Sequence, residues 1–341
     1  MLSTSAAAKT NSQELPVPVV DGNRTLEDFQ GLASAMEMVI QNVVTQGQIN
    51  NALVKRLVSL EKKIEALAAG AQRSQTVPTP SPAQGNDPLP IYLGNSLIMC
   101  RVLNTFPMYV NARDPLSTPS LLLEGMWEPV LSRLFTQSLK RGMTVVDVGA
   151  NHGYYTLLAG AAVGPSGRVF AFEPEPRNLD ILIRNVQLNS MSDRVEVHSC
   201  AVTDARGRTE LYLSPRNSLT HTLFPSEQDR ASAAHVTVDA VALDDVIAGS
   251  VDFVKIDAEG SEPLIVKGMK GILDRSPDIK VLMEFNPDAL RNAGVNPLEF
   301  YQSLAKMGLR SRVVTKEGVL AEVQVDGLLR QELTALFLAR A

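Results

Sequence analysis

Thirteen consecutive residues, Thr144-Val-Val-Asp-Val-Gly-Ala-Asn-His-Gly-Tyr-Tyr-Thr156, constrain this chain more than any other stretch. Thr144 to Val148 is a short, β-branched apolar run holding one acid, the pattern of a strand buried on both faces of a parallel sheet. It passes directly into Gly149-Ala-Asn-His-Gly153, and a helix-compatible run, Tyr154 to Ala162, follows without a break. Two glycines at a strand-to-helix turn let a ligand come close to the backbone, because no Cβ stands in the way. The first turn of the helix offers unpaired N–H donors. Asp147, at the end of the strand, is placed to hold an ammonium or hydroxyl group.

The turn differs from the dinucleotide fingerprint G-x-G-x-x-G, which presents bare backbone to a pyrophosphate. Here an acid precedes the first glycine by two residues and the third glycine is missing, so a diphosphate is repelled and a cationic ligand with an amino-acid end is favoured. S-adenosylmethionine fits that description. The next strand, Arg168-Val-Phe-Ala-Phe-Glu-Pro174, ends in Glu173, 26 residues after Asp147. An acid in that position accepts hydrogen bonds from both ribose hydroxyls of an adenosine-containing ligand.

The chain resembles the FkbM family of S-adenosylmethionine-dependent methyltransferases. The resemblance is carried, in order, by Asp147-Val-Gly-Ala-Asn-His-Gly153, Glu173-Pro-Glu-Pro176, Ala201-Val-Thr-Asp204 with Gly207, Leu243-Asp-Asp245, and Asp252-Phe-Val-Lys-Ile-Asp-Ala-Glu-Gly-Ser-Glu262. These blocks span about half the chain. The resemblance implies a cofactor site of Asp147, Gly149, Ala150, Asn151, Gly153, Tyr154, Glu173, Pro174, Ala201, Val202 and Asp257. It also implies methyl transfer to a hydroxyl, on a sugar or glycan or on a secondary metabolite.

Strands alternate with helices downstream: helix 177–189, strand 194–202, strand 251–256, helix 264–273, strand 279–285, helix 298–307, with 311–315 and 333–338 closing the sheet. The alternation predicts an α/β fold, doubly wound, with a mostly parallel seven-stranded sheet and ligands at the carboxyl ends of the strands. Arg208–Leu213 and His235–Leu243 alternate polar and apolar and add antiparallel strands around a polar loop, 214–234.

Upstream, residues 1–24 are small, polar and proline-containing, a composition that predicts disorder. Residues 25–70 predict a coiled-coil helix. Phe29, Leu32, Met36, Val39, Val43, Gln46, Asn50, Leu53, Leu57, Leu60, Ile64 and Leu67 recur in steps of three and four, and ten of the twelve are apolar. The seam implies self-association as a dimer or trimer. A single helix docked on its own domain is the alternative, because Ile40, Ile49 and Val54 widen the apolar stripe. Residues 71–90, with five prolines from Pro78 to Pro90, predict an extended linker. Residues 91–140 form a lead-in or cap before the methyltransferase domain at 141–341, and Trp127 in it can stack on a sugar or simply pack.

An alcohol needs a base, or a metal that lowers its pKa, before it attacks a methyl group. The candidates lie where the fourth and fifth strands end: Asp257, Glu259 and Glu284, with His221 reaching over from the polar loop. Neighbouring parallel strands lie about 5 Å apart, so Asp257 and Glu284 are expected to converge. Asp257, Glu284 and Asn286 together form an oxygen donor set suited to Mg²⁺. For Glu259 the plain alternative is an acid at the start of a helix.

The formal net charge of −5 argues against nucleic acid as a partner. Two cysteines, Cys100 and Cys200, without metal-ligand spacing, fit a reducing cytoplasmic setting. No basic-then-apolar leader and no run of about 18 apolar residues is visible. Two other readings stay open: a coiled-coil assembly protein whose domain binds cofactor without turnover, and a nicotinamide-dependent oxidoreductase, which the missing glycine and Asp147 disfavour.

Overall fold

The computed structural model describes residues 26–45, 51–73, 90–214, 217, 219–330 and 333–340. The chain begins with two helices, α1 (Leu26–Thr45) and α2 (Asn51–Arg73), followed by a small antiparallel sheet of β1 (Ile91–Tyr92), β2 (Leu97–Val102) and β3 (Phe106–Asn111). Two short helices, α3 (Ser117–Glu124) and α4 (Pro129–Ser138), then lead to the first central strand. The pattern over 121–139 predicts one helix. The chain breaks it because Gly125 and Glu128 both take left-handed backbone, with φ of 63° and 45°.

The central sheet is assembled from β4 (Thr144–Val148), α5 (Tyr154–Val163), β5 (Arg168–Phe172), α6 (Pro176–Leu188) and β6 (Val195–His198). After an excursion through β7 (Ala201–Val202), β8 (Gly207–Tyr212), α7 (Glu227–Arg230), β9 (His235–Val241) and α8 (Leu243–Val246), the chain returns in β10 (Phe253–Ile256). It continues through α9 (Glu262–Gly268), α10 (Lys270–Arg275), β11 (Lys280–Phe285), α11 (Pro287–Asn292), α12 (Pro297–Lys306), β12 (Leu309–Val314), β13 (Leu320–Glu322), α13 (Val325–Arg330) and β14 (Thr334–Arg340). The eight strands lie in the order β13-β12-β14-β11-β10-β4-β5-β6. The five from β11 to β6 are parallel, and β14, β12 and β13 are added through three antiparallel pairings. This is the doubly wound α/β fold, with one strand more than the seven expected.

Two apolar layers sandwich the sheet. Val146, Val148, Val254 and Ile256 enter one, and Val145, Leu157, Phe253 and Leu282 the other. The run 194–202, expected as one strand, is divided: β6 stays in the central sheet, while β7 pairs with β9 in a separate sheet, β7-β9-β8. The order of β4 against β5 and β10 places a crevice at their carboxyl ends, where sheets of this topology bind ligands.

The N-terminal seam is used within the chain. Phe29, Leu32, Met36, Val39, Val43, Leu57 and Ile64 are at most 3% exposed, because α1 and α2 pack side by side and onto the main body. Asn42 Nδ2 donates to the Ala112 carbonyl over 3.4 Å, and Arg56 pairs with Glu124 at 2.8 Å. Two helices packed side by side stand where the sequence predicts one continuous coiled-coil helix. The apolar stripe is wide enough to serve two neighbours, and its own domain supplies the second. Gln46, Asn50, the side chain of Leu53, the expected disorder of residues 1–24 and nearly all of the expected linker lie outside the described residues; of that linker, 71–73 are helical in α2.

Candidate active site

The crevice at the ends of β4, β5 and β10 is built from turns that leave little freedom. Gly149 has φ of 74°, and a Cβ there would lie 1.9 Å from the Asp257 carbonyl oxygen. The turn after β4 is thus pressed against the turn after β10. Gly153 (φ 91°) lies against α6, where a Cβ would meet Leu182 Cδ1 at 2.6 Å. These glycines serve chain-to-chain approach as much as ligand approach. Glu173 faces the crevice and is 5% exposed; its two oxygens accept from Asn151 N–H at 2.8 Å and Glu175 N–H at 2.9 Å. Burial pushes its carboxyl up to about 7, against the opposing pull of those two backbone donors. Each oxygen keeps a further lone pair, so the group can still take a diol. Phe172, Cys200, Val202, Leu211 and Leu223 make an apolar slot beside it. A buried carboxyl with spare lone pairs beside an apolar slot fits the ribose and base of an adenosine.

At the ends of β10 and β11, Asp257, Glu259 and Glu284 bring one oxygen each within 4.8 Å of one another. Lys255 Nζ lies 3.1 Å from Asp257, 3.9 Å from Asp147 and 4.6 Å above the Tyr155 ring. Burial opposes the charge of Lys255, but Asp257, Asp147 and Glu128 outweigh it and raise its pKa. Burial also opposes ionisation of Asp257, yet Lys255 and a hydrogen bond from Glu284 hold its carboxyl below the usual range. Glu284 is driven the other way, well above the carboxylate range, by burial and by the charge of Asp257. The pair is therefore one ionised and one protonated carboxyl, with Glu284 donating to Asp257. Burial, then Asp257 and Glu262, push Glu259 up to about 8. Asp257 lines both the crevice and a second, larger cleft of about 1000 Å³ on the other side of the strand ends.

Residues 147–310 match the model of the methyltransferase FkbM domain. The chain carries an FkbM methyltransferase domain. Over 155 residues it is 27% identical to the methyltransferase sdnD of Sordaria araneosa, covering 37% of this chain and 60% of that protein. Over 102 residues it is 28% identical to protein-L-isoaspartate O-methyltransferase 1 of Arabidopsis thaliana, covering 30% and 42%. It thus spans less than two thirds of either relative. Among solved structures, methyltransferase FkbM from Methylobacillus flagellatus superposes with a TM-score of 0.39 at 15% identity, covering 67% of this chain and 54% of that one. An O-methyltransferase from Bacillus cereus, solved in complex with SAH, gives 0.38 at 16% identity, covering 63% and 82%.

Within this FkbM domain the expected cofactor residues Gly149, Asn151, Glu173, Pro174, Ala201, Val202 and Asp257 all line the crevice. Asp147, Ala150, Gly153 and Tyr154 are not among its lining residues. Asp147 is fully buried and accepts from Thr156 Oγ1 at 2.6 Å, while Tyr154 turns its hydroxyl to Ser132 at 3.0 Å. The strand's alternation sends Asp147 to the same face as Val145 and Lys255, beneath the turn. His221 does line the crevice; its Nδ1 accepts from Ser214 N–H at 3.0 Å, and burial, then His152, depress its pKa to about 4.

Asn286 does not join Asp257 and Glu284. Its Oδ1 accepts from Asp288 and Ala289 N–H, capping α11, and it faces a different pocket. The oxygen set expected for Mg²⁺ thus loses Asn286, while Asp257 and Glu284 meet Glu259 instead, three carboxyls close enough to share a cation, with the ammonium of Lys255 already 3.1 Å from Asp257. Sequence reasoning misses the apolar slot from Cys200 and Leu211 and the place of Glu128 among the acids; Lys255, which it pairs with a neighbouring acid, is the centre of the cluster. The pairing is legible because a lysine inside an otherwise apolar central strand is seldom buried without acids around it.

Proposed function

We propose that this chain transfers a methyl group from S-adenosylmethionine to a hydroxyl of a small-molecule or glycan acceptor. The observation that carries the reading is Asp257, a carboxyl held ionised at the wall between the crevice that Glu173 faces and the larger cleft. Glu173 takes the ribose hydroxyls, and the slot of Phe172, Cys200 and Leu211 takes the base. When bound, S-adenosylmethionine supplies an electrophilic methyl group on a sulfonium.

Asp257 does the remaining chemistry. It accepts the acceptor's O–H hydrogen bond and so points an oxygen lone pair toward the methyl, which secures alignment. As the new C–O bond forms, the acceptor oxygen grows positive and its proton strongly acidic. A carboxylate then takes that proton even when its own basicity is low. Lys255 and Glu284 keep Asp257 in the one conformation that faces both cavities. His221, with its pKa near 4, is neutral at physiological pH and is the weaker candidate as base.

The test is transfer of labelled methyl from S-adenosylmethionine into fractionated polysaccharide, lipid and metabolite pools. Label in an ether that survives alkali supports O-methylation of a hydroxyl. Label released by alkali means an ester, and label on nitrogen means an amine; either result removes the hydroxyl.

A further inference from the structure

Crevice and acid pair provide for the cofactor and the base, which leaves the larger cleft to be explained. Its floor holds Glu128, Asp257 and Glu284 with Lys255. Its walls are apolar: Val130 and Leu131 from α4, Val313 from β12, and Leu333 and Ala335 beside and in β14. Lys316 and Glu317 stand together at the rim, both exposed. The cavity is therefore amphipathic, acid at the bottom and greasy along the sides.

Glu128 comes from outside the strand ends, at the break between α3 and α4. Its backbone is left-handed, φ 45° and ψ 67°, which a non-glycine residue adopts only at a cost. Its Oε2 accepts from the Tyr155 hydroxyl at 2.7 Å, which fixes the carboxyl at the floor. Among the described residues, Lys255 is the cation on that floor, and Asp257, Asp147 and the Tyr155 ring already engage it. A carboxylate or phosphate reaching the floor meets acids around an already engaged Lys255, and the other lysine of the lining, Lys316, stands away from them at the rim. An uncharged hydroxyl compound meets hydrogen-bond acceptors.

We infer that this cleft is the acceptor site, that Glu128 binds the acceptor there, and that the site takes uncharged amphipathic hydroxyl compounds and rejects anionic ones. The inference rests on the methyltransferase reading and adds the class of acceptor to it. Glu128 is a specificity residue supplied by the lead-in segment, and the apolar walls take the body of the molecule.

The experiment uses the full chain saturated with S-adenosylhomocysteine and a matched pair of probes, octyl glucoside and octyl glucuronide, titrated by calorimetry below their micelle-forming concentrations. The glucoside should bind in the millimolar range or better, and the glucuronide about tenfold more weakly or worse, because its carboxylate is brought against the acids Glu128 and Asp257. Glu128→Gln, which keeps an acceptor for Tyr155 but removes the charge, should narrow that gap. Val313→Trp, which fills the opposite wall, should weaken the glucoside about tenfold or more by occupying its space, with S-adenosylhomocysteine binding unchanged. Equal binding of the two probes, an unchanged gap in Glu128→Gln, or no glucoside binding at millimolar concentration overturns the inference. Failure of S-adenosylhomocysteine itself to bind overturns the methyltransferase reading instead, so the two outcomes are distinguishable.

Discussion

At the scale of single residues, carboxyl groups decide this site, and each is tuned by what surrounds it. Glu173 is the clearest case, with both oxygens engaged by backbone N–H groups in a buried pocket. Replacing it by alanine leaves those donors unpaired and removes the diol acceptor, so S-adenosylmethionine binding should weaken by about 1–3 kcal/mol in a folded variant. Calorimetry showing unchanged affinity would remove Glu173 from the cofactor site. Its raised pKa also gives a signed expectation for stability. The carboxyl titrates near 7 in the fold against an ordinary value of 4.5, so the folded state holds a proton that the unfolded chain has released. Glu173 therefore costs stability progressively as pH rises from about 4.5 to about 7, and the cost is constant above that. The stability of the native chain relative to Glu173→Gln should fall over that window in urea titrations, and a flat difference contradicts it. For Asp257, substitution by asparagine keeps the shape and loses the base, so turnover should drop by about 100-fold or more with the fold intact. Lys255 lies 3.1 Å from Asp257 and offsets its charge, so EDTA should leave turnover unchanged. Loss on chelation with recovery in Mg²⁺ would reverse that assignment.

At the scale of elements, the strand–turn–helix start was legible because its signals are local: a β-branched run, two glycines and an apolar helix. The convergence of Asp257 with Glu284 was legible because both end adjacent parallel strands, and the register β10 to β11 sets their separation. Asn286 lay beyond the reach of that argument. It is two residues past Glu284 in sequence, but capping α11 uses up its Oδ1. Glu128 was legible only as the end of the lead-in expected to cap the site, since its place beside the acids depends on a break between two helices 129 residues away from Asp257 in sequence. The run 194–202 split for a similar reason: β7 leaves the sheet to pair with β9, a partner that local alternation does not reveal. The turn glycines carry the element-scale prediction. In Gly149→Ala the new methyl would lie on the Asp257 carbonyl and the backbone would keep a positive φ, so stability should fall by roughly 2–5 kcal/mol from strain and overpacking combined. The variant should also lose turnover while still folded at low temperature, because the displaced turn carries Asp257. Unchanged thermal unfolding would mean the two turns are not in contact.

At the scale of the whole molecule, the question is what covers the apolar stripe from Phe29 to Leu67. A heptad pattern specifies that a seam is buried, not whether the partner is a second chain or the rest of the same one. Within this chain the stripe is divided between α1 and α2, which cover each other and the body beneath. Tyr92 lies against α1 at Gly31, where a Cβ would approach its ring to 3.0 Å, so a glycine that weakens a free helix here makes room for docking. On the other side, Arg56 reaches Glu124 and the Leu123 carbonyl of α3, the helix whose end sets up Glu128. These contacts make a prediction about concentration. An intermolecular seam gives a thermal midpoint that rises with protein concentration, whereas an intramolecular one gives a constant midpoint. The midpoint should therefore be the same from micromolar to hundredfold higher concentrations, with light scattering reporting one chain. Leu57→Ala, at a side chain with no exposure, should cost about 2–5 kcal/mol at every concentration alike. A midpoint that climbs with concentration, or a Leu57→Ala penalty that shrinks on dilution, would show that the stripe joins separate chains after all.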